Sequence, residues 1–297
     1  MSRLTVVLLA LACAASVDAQ QRPVRVFISA DMEGVVGTVT GDQLGPTGFE
    51  YQRFREFMTR EVLEAIRGVR AVAPAEIVVA DAHGNGENLL IELFPSDVTI
   101  VRSWPRPLGM MQGVDSTFAA ALFIGYHAGT TNPQGVRAHT FSSATLADVR
   151  LAGRSVPEGG VNAAVAGHFG VPVIMMSGDD AAVAEVRGVV GDIPAAVVKW
   201  HAGFHSARTL TPDSSYRLIE ATAAAAMRRR REFRPFQLPG PVTLDLRFKN
   251  YRPSEVLAYL PNVERPDAHS ARFVGKDILE VVRFLQFVTT YSSALEP

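Results

Sequence analysis

The chain has 297 residues, of which 47% are hydrophobic and 20% charged, and its net charge is −1. This composition is ordinary for a globular protein and excludes the intrinsically disordered class, while the length suits one large domain or two small ones. A net charge near zero leaves no broad basic face, so we predict no nucleic-acid partner.

Residues 1–19 have the outline of a signal peptide. Arg3 is the only charged residue before Asp18, and the run Leu4–Ser16 between them is mostly apolar. This run is too short to span a bilayer comfortably as a helix, and small residues precede a cleavage point after Ala19. We therefore predict a secreted or periplasmic protein with no membrane contact after cleavage. An uncleaved membrane anchor is the alternative.

The only cysteine, Cys13, lies inside that segment. Its surroundings resemble a lipoprotein cleavage box only loosely, which leaves lipid attachment open. Cleavage after Ala19 removes this cysteine and so excludes disulfides, thiol nucleophiles and cysteine-ligated zinc from the mature chain. Any metal ion must then be bound by histidine, aspartate and glutamate.

Beyond the signal segment, short apolar runs alternate with helical patterns. Apolar residues at three- and four-residue spacing predict a helix over Phe49–Val72. Apolar runs rich in β-branched residues predict strands over Val24–Ala30, Glu76–Ala80, Ala119–Ile124 and Val171–Met176. This alternation predicts an α/β domain over residues 22–194, with a mainly parallel sheet and helices on both sheet faces.

The pattern changes after residue 194. The sequence predicts an alanine-rich helix over Ser214–Arg231, a strand of strict alternation over Val242–Phe248 and a last helix over Lys276–Thr290. We interpret residues 195–297 as a smaller α+β lobe at the C-terminal end.

Carboxylates and imidazoles follow the first two predicted strands. Asp31 and Glu33 stand two residues apart, so in a strand-like backbone both side chains project to the same face. Asp81 and His83 repeat this spacing after the second strand. Two carboxylates on one face repel each other unless a cation lies between them.

Further side chains of the same chemistry come later. His127 ends the third strand, His139 lies in a loop after it, and Glu158 precedes an apolar helix. Each residue alone has an ordinary explanation, such as a turn cap for Asp31, a satisfied polar histidine, or a carboxylate at a helix dipole for Glu158. Together they lie where open α/β sheets place their sites, and oxygen and nitrogen ligands favour zinc, with manganese or cobalt as alternatives.

These residues stand in short sequence blocks that occur in a characteristic order. The blocks are Ser29–Gly34, Asp81–His83, Gly125–Ala128, Ala138–Thr140, Glu158–Ala163, Val171–Asp180 and Asn250–Tyr251. In this order they resemble the motifs of the bacterial zinc D-aminopeptidases of the dipeptide-transport type, over essentially the whole mature chain. Asp-Met-Glu-Gly followed by Gly-Tyr-His-Ala is the most specific part.

The resemblance implies two Zn²⁺ ions per subunit, bridged by Asp31. Glu33 and His83 would complete the ligands of one ion, and His127 and Glu158 those of the other. It further implies an aminopeptidase that releases the N-terminal residue from short peptides, including peptides of D-amino acids. Relatives of this type form homo-oligomers, some of them rings, so we expect the same here.

His139 matches the histidine that serves as nucleophile in that family. On physical grounds we expect His139 to be catalytic without being a metal ligand, because a two-metal site draws its nucleophile from water. A nearby imidazole then acts as a general base or acid, or stabilises the oxyanion. The choice among nucleophile, base and oxyanion stabiliser stays open.

The residues alone support a metal hydrolase, and other functions fit the same ligands. A metal-dependent phosphoesterase or other amidohydrolase is one alternative, although Arg137 is the only basic residue near a motif. A non-catalytic periplasmic protein that binds metal or peptide is another. His201 and His205, four residues apart, would share a face if helical, but Gly203 disfavours a helix there and we expect an ordinary or substrate-channel role.

Overall fold

The structure, a computed structural model, describes residues 23–291. The predicted signal peptide and Cys13 lie outside the described residues. Two sheets organise the described chain, a larger sheet of seven strands and a smaller sheet of five. The predicted α/β fold, with a mainly parallel sheet flanked by helices and a smaller α+β part, is confirmed.

The larger sheet carries the strands that the apolar runs predict. Its strands are β1 (Val24–Ala30), β2 (Ala75–Asp81), β3 (Val98–Val101), β4 (Ala120–Tyr126), β7 (Val173–Asp179), β8 (Ala195–Gly203) and β9 (Ser206–Thr209). They lie in the order β3-β2-β1-β4-β7-β8-β9, and all neighbours are parallel except β8 and β9. The carboxyl ends of the parallel strands therefore meet at one edge of the sheet.

Helices cover both faces of this sheet. The helices of the described chain are α1 (Tyr51–Arg70), α2 (Glu158–His168), α3 (Asp180–Val190), α4 (Pro212–Arg228), α5 (Tyr251–Leu257) and α6 (Ile278–Thr290), of which α5 and α6 lie against the smaller sheet. Because side chains alternate along a strand, Val26 and Ile28 of β1 pack in one core with Val62 of α1 and Ile219 of α4. Phe27 packs in a second core, to which α2, α3, α6 and the smaller sheet contribute.

The smaller sheet is antiparallel. Its strands are β5 (Leu146–Leu151), β6 (Arg154–Ser155), β10 (Val242–Phe248), β11 (Val263–Asp267) and β12 (Ser270–Gly275), in the order β11-β12-β10-β5-β6. Strands β5 and β6 precede residue 194, whereas β8 and β9 of the larger sheet follow it. The strand pairing thus does not coincide with the predicted domain boundary at residue 194, and that boundary stays a prediction.

Within residues 23–291, no helix combines the length and the apolar character that a bilayer crossing requires.

Candidate metal centre

Neighbouring strand ends bring the predicted ligands together. Asp31 and Glu33 follow β1, His83 follows β2, and His127 follows β4, which pairs with β1 on its other side. Glu158 is the first residue of α2. All five side chains are buried, so the parallel strand ends and the start of α2 together place three carboxylates and two imidazoles in one water-poor space.

The turn after β1 is shaped by close contact with the end of β4. The Asp31 N–H donates to the Ile124 carbonyl at 2.8 Å, and the Gly34 N–H donates to the Gly125 carbonyl at 2.7 Å. A Cβ atom on Gly34 would lie 2.0 Å from the Tyr126 carbonyl oxygen, so only glycine permits this approach. The Asp-Met-Glu-Gly and Gly-Tyr-His-Ala motifs thus contact each other through their backbones.

Asp31 lies between two histidines. Its Oδ1 is 3.3 Å from Nδ1 of His83, and its Oδ2 is 3.3 Å from Nε2 of His127. Glu33 Oε2 lies 2.8 Å from the same His83 nitrogen, and Glu158 Oε2 lies 3.4 Å from the same His127 nitrogen. The five residues therefore form two groups that share Asp31.

The other nitrogen of each histidine is fixed by a backbone carbonyl. Nε2 of His83 donates to the Leu44 carbonyl at 2.7 Å, and Nδ1 of His127 donates to the Ala128 carbonyl at 3.0 Å. A carbonyl oxygen can only accept, so in the neutral tautomer that these bonds select, the lone pair lies on the nitrogen that faces Asp31. Metal-binding histidines characteristically have such a second partner.

The spacing of these atoms fits zinc. Tetrahedral zinc with bonds of about 2.0–2.2 Å puts two of its ligand atoms roughly 3.3–3.6 Å apart. Three of the four separations fall in that range, and the fourth, 2.8 Å from His83 Nδ1 to Glu33 Oε2, is shorter. Asp31 Oδ2 and His127 Nε2 are buried and have no hydrogen-bond partner among residues 23–291, as expected of atoms that bind a cation.

The electrostatics of the cluster also favour a cation. Burial, together with the charge of Glu33, raises the pKa of Asp31. Burial lowers the pKa of His127, but the Glu158 and Asp31 carboxylates outweigh it and hold this pKa well above its ordinary value. The same balance with Glu33 and Asp31 raises the pKa of His83. Buried carboxylates thus draw positive charge into the cluster, as protons or as metal ions.

Comparison with known proteins agrees with this geometry. The family model described as D-aminopeptidase, peptidase family M55, matches residues 24–287. A D-aminopeptidase of Bacillus subtilis (strain 168) is 30% identical over 269 residues, which are 89% of this chain and 96% of the relative. This chain belongs to the D-aminopeptidase family. The resemblance seen in the sequence and the prediction of a metallo-aminopeptidase are confirmed.

A solved structure extends the likeness to the fold. It is that of the Zn-dependent D-aminopeptidase DppA from Bacillus subtilis, described as a self-compartmentalizing protease. The likeness has a TM-score of 0.85 at 29% identity and covers 91% of this chain and 100% of that one.

His139 of this D-aminopeptidase family member lies beside the five residues but farther from the carboxylates. Its Nε2 is 3.9 Å from Glu33 Oε1 and 3.7 Å from Glu158 Oε1. Its Nδ1 donates to the Arg137 carbonyl at 2.9 Å, so in the neutral tautomer that this bond selects, Nε2 carries the free lone pair. His139, His127 and Glu158 nevertheless offer ligand atoms close enough to be grouped around one ion, so its role stays a prediction.

Asp81 precedes His83 by two residues, just as Asp31 precedes Glu33, but its carboxylate has different partners. Its Oδ2 accepts from the N–H groups of Asn88 and Leu89, and its Oδ1 accepts from the Asn88 side chain. Both oxygens are therefore used to fold the loop that carries His83.

A cavity of about 540 Å³ opens onto the candidate centre. Its walls include Trp104, Met110, Phe141, Gln286, Thr289 and Thr290, together with the carboxylates and His139. Among the described residues, no lysine or arginine lines it. The sequence did not predict a role for the α6 residues Gln286, Thr289 and Thr290. Polar residues on a helix show the same sequence pattern whether they line a cavity or face solvent.

His201 and His205 do not share a helix face. His201 lies in β8 and His205 lies in the turn between β8 and β9, so the segment is not helical, in line with the expectation from Gly203. The glycine between them and the β-rich flanks explain this outcome. Nδ1 of His205 is 3.3 Å from the Arg137 side chain, which places the hairpin tip against the loop of His139.

Proposed function

We propose that this chain is a dinuclear zinc aminopeptidase that removes the N-terminal residue from short peptides of D-amino acids. The observation that carries the proposal is the position of Asp31, whose two oxygens each lie 3.3 Å from a different histidine. A carboxylate placed in this way suits two ions roughly 3.5–4 Å apart, the usual dinuclear separation.

In this proposal the five residues would hold two zinc ions. Glu33 and His83 would serve one ion, His127 and Glu158 the other, and Asp31 both. Bound zinc would polarise the peptide carbonyl and lower the pKa of a water molecule. The Phe141 N–H donates to Glu158 Oε1 at 2.7 Å and so orients this carboxylate with Oε2 toward His127.

His139 is proposed as the group that moves protons. Its ring is 14% exposed, whereas that of His127 is 1% exposed, so His139 stands at the cavity wall where substrate arrives. Its free Nε2 lone pair faces Glu33 and Glu158 and can take a proton from the attacking water. The Arg137 carbonyl stabilises the resulting imidazolium, which then donates its proton to the leaving amine.

The cavity supports a peptide substrate better than a phosphate ester. Its volume suits a ligand of a few residues, and its walls combine aromatic, amide and hydroxyl groups. Phosphate recognition usually relies on arginine or lysine, which the described lining lacks. The D configuration is proposed from the family alone, because a D-selective pocket differs from an L-selective one only in shape.

We also propose that the mature protein is exported and forms a homo-oligomer, for which a ring is the form expected. Support for the oligomer comes from the description of DppA as self-compartmentalizing and from large exposed side chains in α5 and α6 and just after them, among them Tyr251, Tyr259, Phe287 and Tyr291. Light scattering of the purified protein tests the oligomer, and N-terminal sequencing of exported protein tests cleavage after Ala19.

The experiment that tests the function is a parallel assay of the purified mature chain with measured zinc content. D-Ala-D-Ala, L-Ala-L-Ala and the corresponding amino-acid p-nitroanilides are the substrates, and His139→Ala is the control for contaminating peptidases. We expect about two zinc ions per subunit and turnover of the D-substrates. Turnover of L-substrates alone would keep the mechanism and reject the D specificity, while absence of both zinc and turnover would reject the proposal.

A further inference from the structure

Lys199 is a fully buried lysine of β8 whose ammonium group contacts the turn that carries Asp31 and Glu33. We call residues 31–38 the ligand turn. The Lys199 ammonium donates to the carbonyl oxygen of Glu33, to that of Val35 at 3.2 Å and to that of Thr38 at 2.6 Å. All three of its N–H donors are therefore used on the backbone of one short segment.

The ligand turn depends on this lysine because its other polar groups are paired elsewhere. Its Asp31 and Gly34 N–H groups donate to the end of β4, and its Val36 N–H donates to Glu61 Oε1 at 3.0 Å. Within the turn, the Thr38 N–H donates to the Val35 carbonyl at 3.1 Å. The Glu33 carbonyl has no such backbone donor among the described residues, and Glu33 is buried, where water cannot replace a missing donor, so Lys199 is the group that satisfies this acceptor.

The lysine also bears on the position of one particular ligand. The carbonyl that it binds belongs to Glu33 itself, whereas the backbone of Asp31 is held to Ile124 of β4. His127 and Glu158 are carried by other elements, β4 and α2. Loss of the ammonium therefore leaves the Glu33 carbonyl without its donor, while the Gly34 N–H and the remaining ligands keep their own supports.

Among residues 23–291, no carboxylate forms a direct ion pair with the Lys199 ammonium. Burial lowers its pKa to about 8, and the carboxylates of Asp179 and Glu61 oppose this decrease. Because the ammonium donates only to carbonyl oxygens, it fixes the backbone of the ligand turn and leaves the carboxylate of Glu33 free to face His83.

We infer that Lys199 is a positioning residue, which holds the backbone of the ligand turn so that Glu33 and His83 form one of the two cation positions. The inference rests on the proposed two-metal function. It assigns no contact of Lys199 with substrate or with a metal ion.

The test is a titration of metal-free protein with Co²⁺, followed by its visible absorption, which reports binding without any turnover. Wild-type protein is expected to bind two equivalents. In Lys199→Met we expect one equivalent to stay within about twofold of its wild-type affinity and the other to lose about tenfold or more, the usual effect of removing a group that orients a ligand.

Leu244→Ala is the matched control, because Leu244 is a fully buried residue of the smaller sheet and its truncation destabilises the fold away from the ligand turn. It should lower the melting temperature and leave both Co²⁺ affinities unchanged. If Lys199→Met cannot be obtained folded, Lys199→Gln, which keeps amide donors on a shorter side chain, carries the same comparison with an expected loss of about threefold or more at one equivalent.

Two wild-type affinities in the folded lysine variant would overturn the positioning role and leave the proposed function intact. Equal weakening of both equivalents would also overturn it, because that result indicates general loosening. Wild-type protein that binds fewer than two equivalents would reject the two-metal function, and the positioning role with it.

Discussion

The imidazole rings of His127 and His139 are stacked, with centroids 4.2 Å apart and planes 8° from parallel. The two rings nevertheless differ in their distances to the nearest carboxylates. Nε2 of His127 lies 3.3 and 3.4 Å from two carboxylates, whereas Nε2 of His139 lies 3.7 and 3.9 Å from its nearest ones. The stack keeps the His139 ring parallel to that of the proposed ligand His127, with its Nε2 farther from the carboxylates.

This relationship predicts opposite results for two alanine variants. His139→Ala should keep the zinc content of wild type and lower kcat by about 10²–10⁴-fold, the usual contribution of general acid–base catalysis. His127→Ala should lose zinc as well as turnover. Metal analysis by mass spectrometry and steady-state kinetics on the same samples check both.

The two outcomes separate the possible roles of His139. A loss of zinc in His139→Ala equal to that in His127→Ala would make His139 a metal ligand. Full turnover in His139→Ala would remove it from the catalytic residues.

Asp31 and Glu33 are expected to differ in how many ions depend on them. Asp31 faces both His83 and His127, whereas Glu33 Oε2 contacts His83 and not His127. Asp31→Asn should therefore weaken both Co²⁺ equivalents, and Glu33→Gln should weaken one, by about tenfold or more in each case. Equilibrium titration of metal-free protein measures this, and a single equivalent lost in both variants would contradict a bridging Asp31.

The close approach of Gly34 to β4 predicts a steric effect. A Cβ at residue 34 would lie 2.0 Å from the Tyr126 carbonyl oxygen, whereas a Cβ at Gly41 would meet no atom within 4 Å. Gly34→Ala should therefore lower the free energy of unfolding by about 1–3 kcal/mol, as overpacking does, and weaken metal binding because Asp31 moves with the turn. Gly41→Ala is the control and should change neither.

Urea unfolding in the presence of a chelator gives the stability, and Co²⁺ titration gives the affinity. Equal behaviour of the two alanine variants would mean that the contact between the turn and β4 is not needed for the site.

The strand ends could be predicted from the sequence because their signals are local. The run Val24–Ala30 is a strand with the predicted bounds, and the helix predicted over Phe49–Val72 occurs as Tyr51–Arg70. Parallel pairing then brings Asp31, His83 and His127 to one edge, so much of the candidate site followed from the order of strands.

The remaining parts depend on contacts between distant segments. Strand β5 pairs with β10, about a hundred residues later, and no local pattern near Leu146 marks a second sheet there. Lys199 stands in an apolar strand, where a lysine in the sequence indicates an exposed edge, yet its acceptors lie in the turn after β1. Such pairings are set by tertiary packing, which overrides the local tendency of each residue.

Because Glu61 is buried, we predict that the stability of the metal-free protein depends on pH. This buried carboxylate of α1 accepts hydrogen bonds from the Val36 N–H at 3.0 Å and from Ser215 Oγ at 2.8 Å. Burial raises its pKa to about 7, against opposing effects of these bonds and of Lys199. Between the ordinary pKa of glutamate, about 4.3, and about 7, the folded protein holds a proton that the unfolded chain has released.

The proton bound at Glu61 stabilises the folded state fully below that range, and the stabilisation is lost as the pH rises through about 7. Glu61→Gln keeps an acceptor for Val36 and cannot ionise, so it should remove this loss and be more stable than wild type at pH 8 by about 1–3 kcal/mol. At pH 4.5 the two proteins should be nearly equal. Urea unfolding with a chelator at both pH values measures the difference, with the exposed Glu56→Gln of the same helix as control. A stability profile of Glu61→Gln that still falls between pH 5 and pH 7 as in wild type would assign the proton to another group.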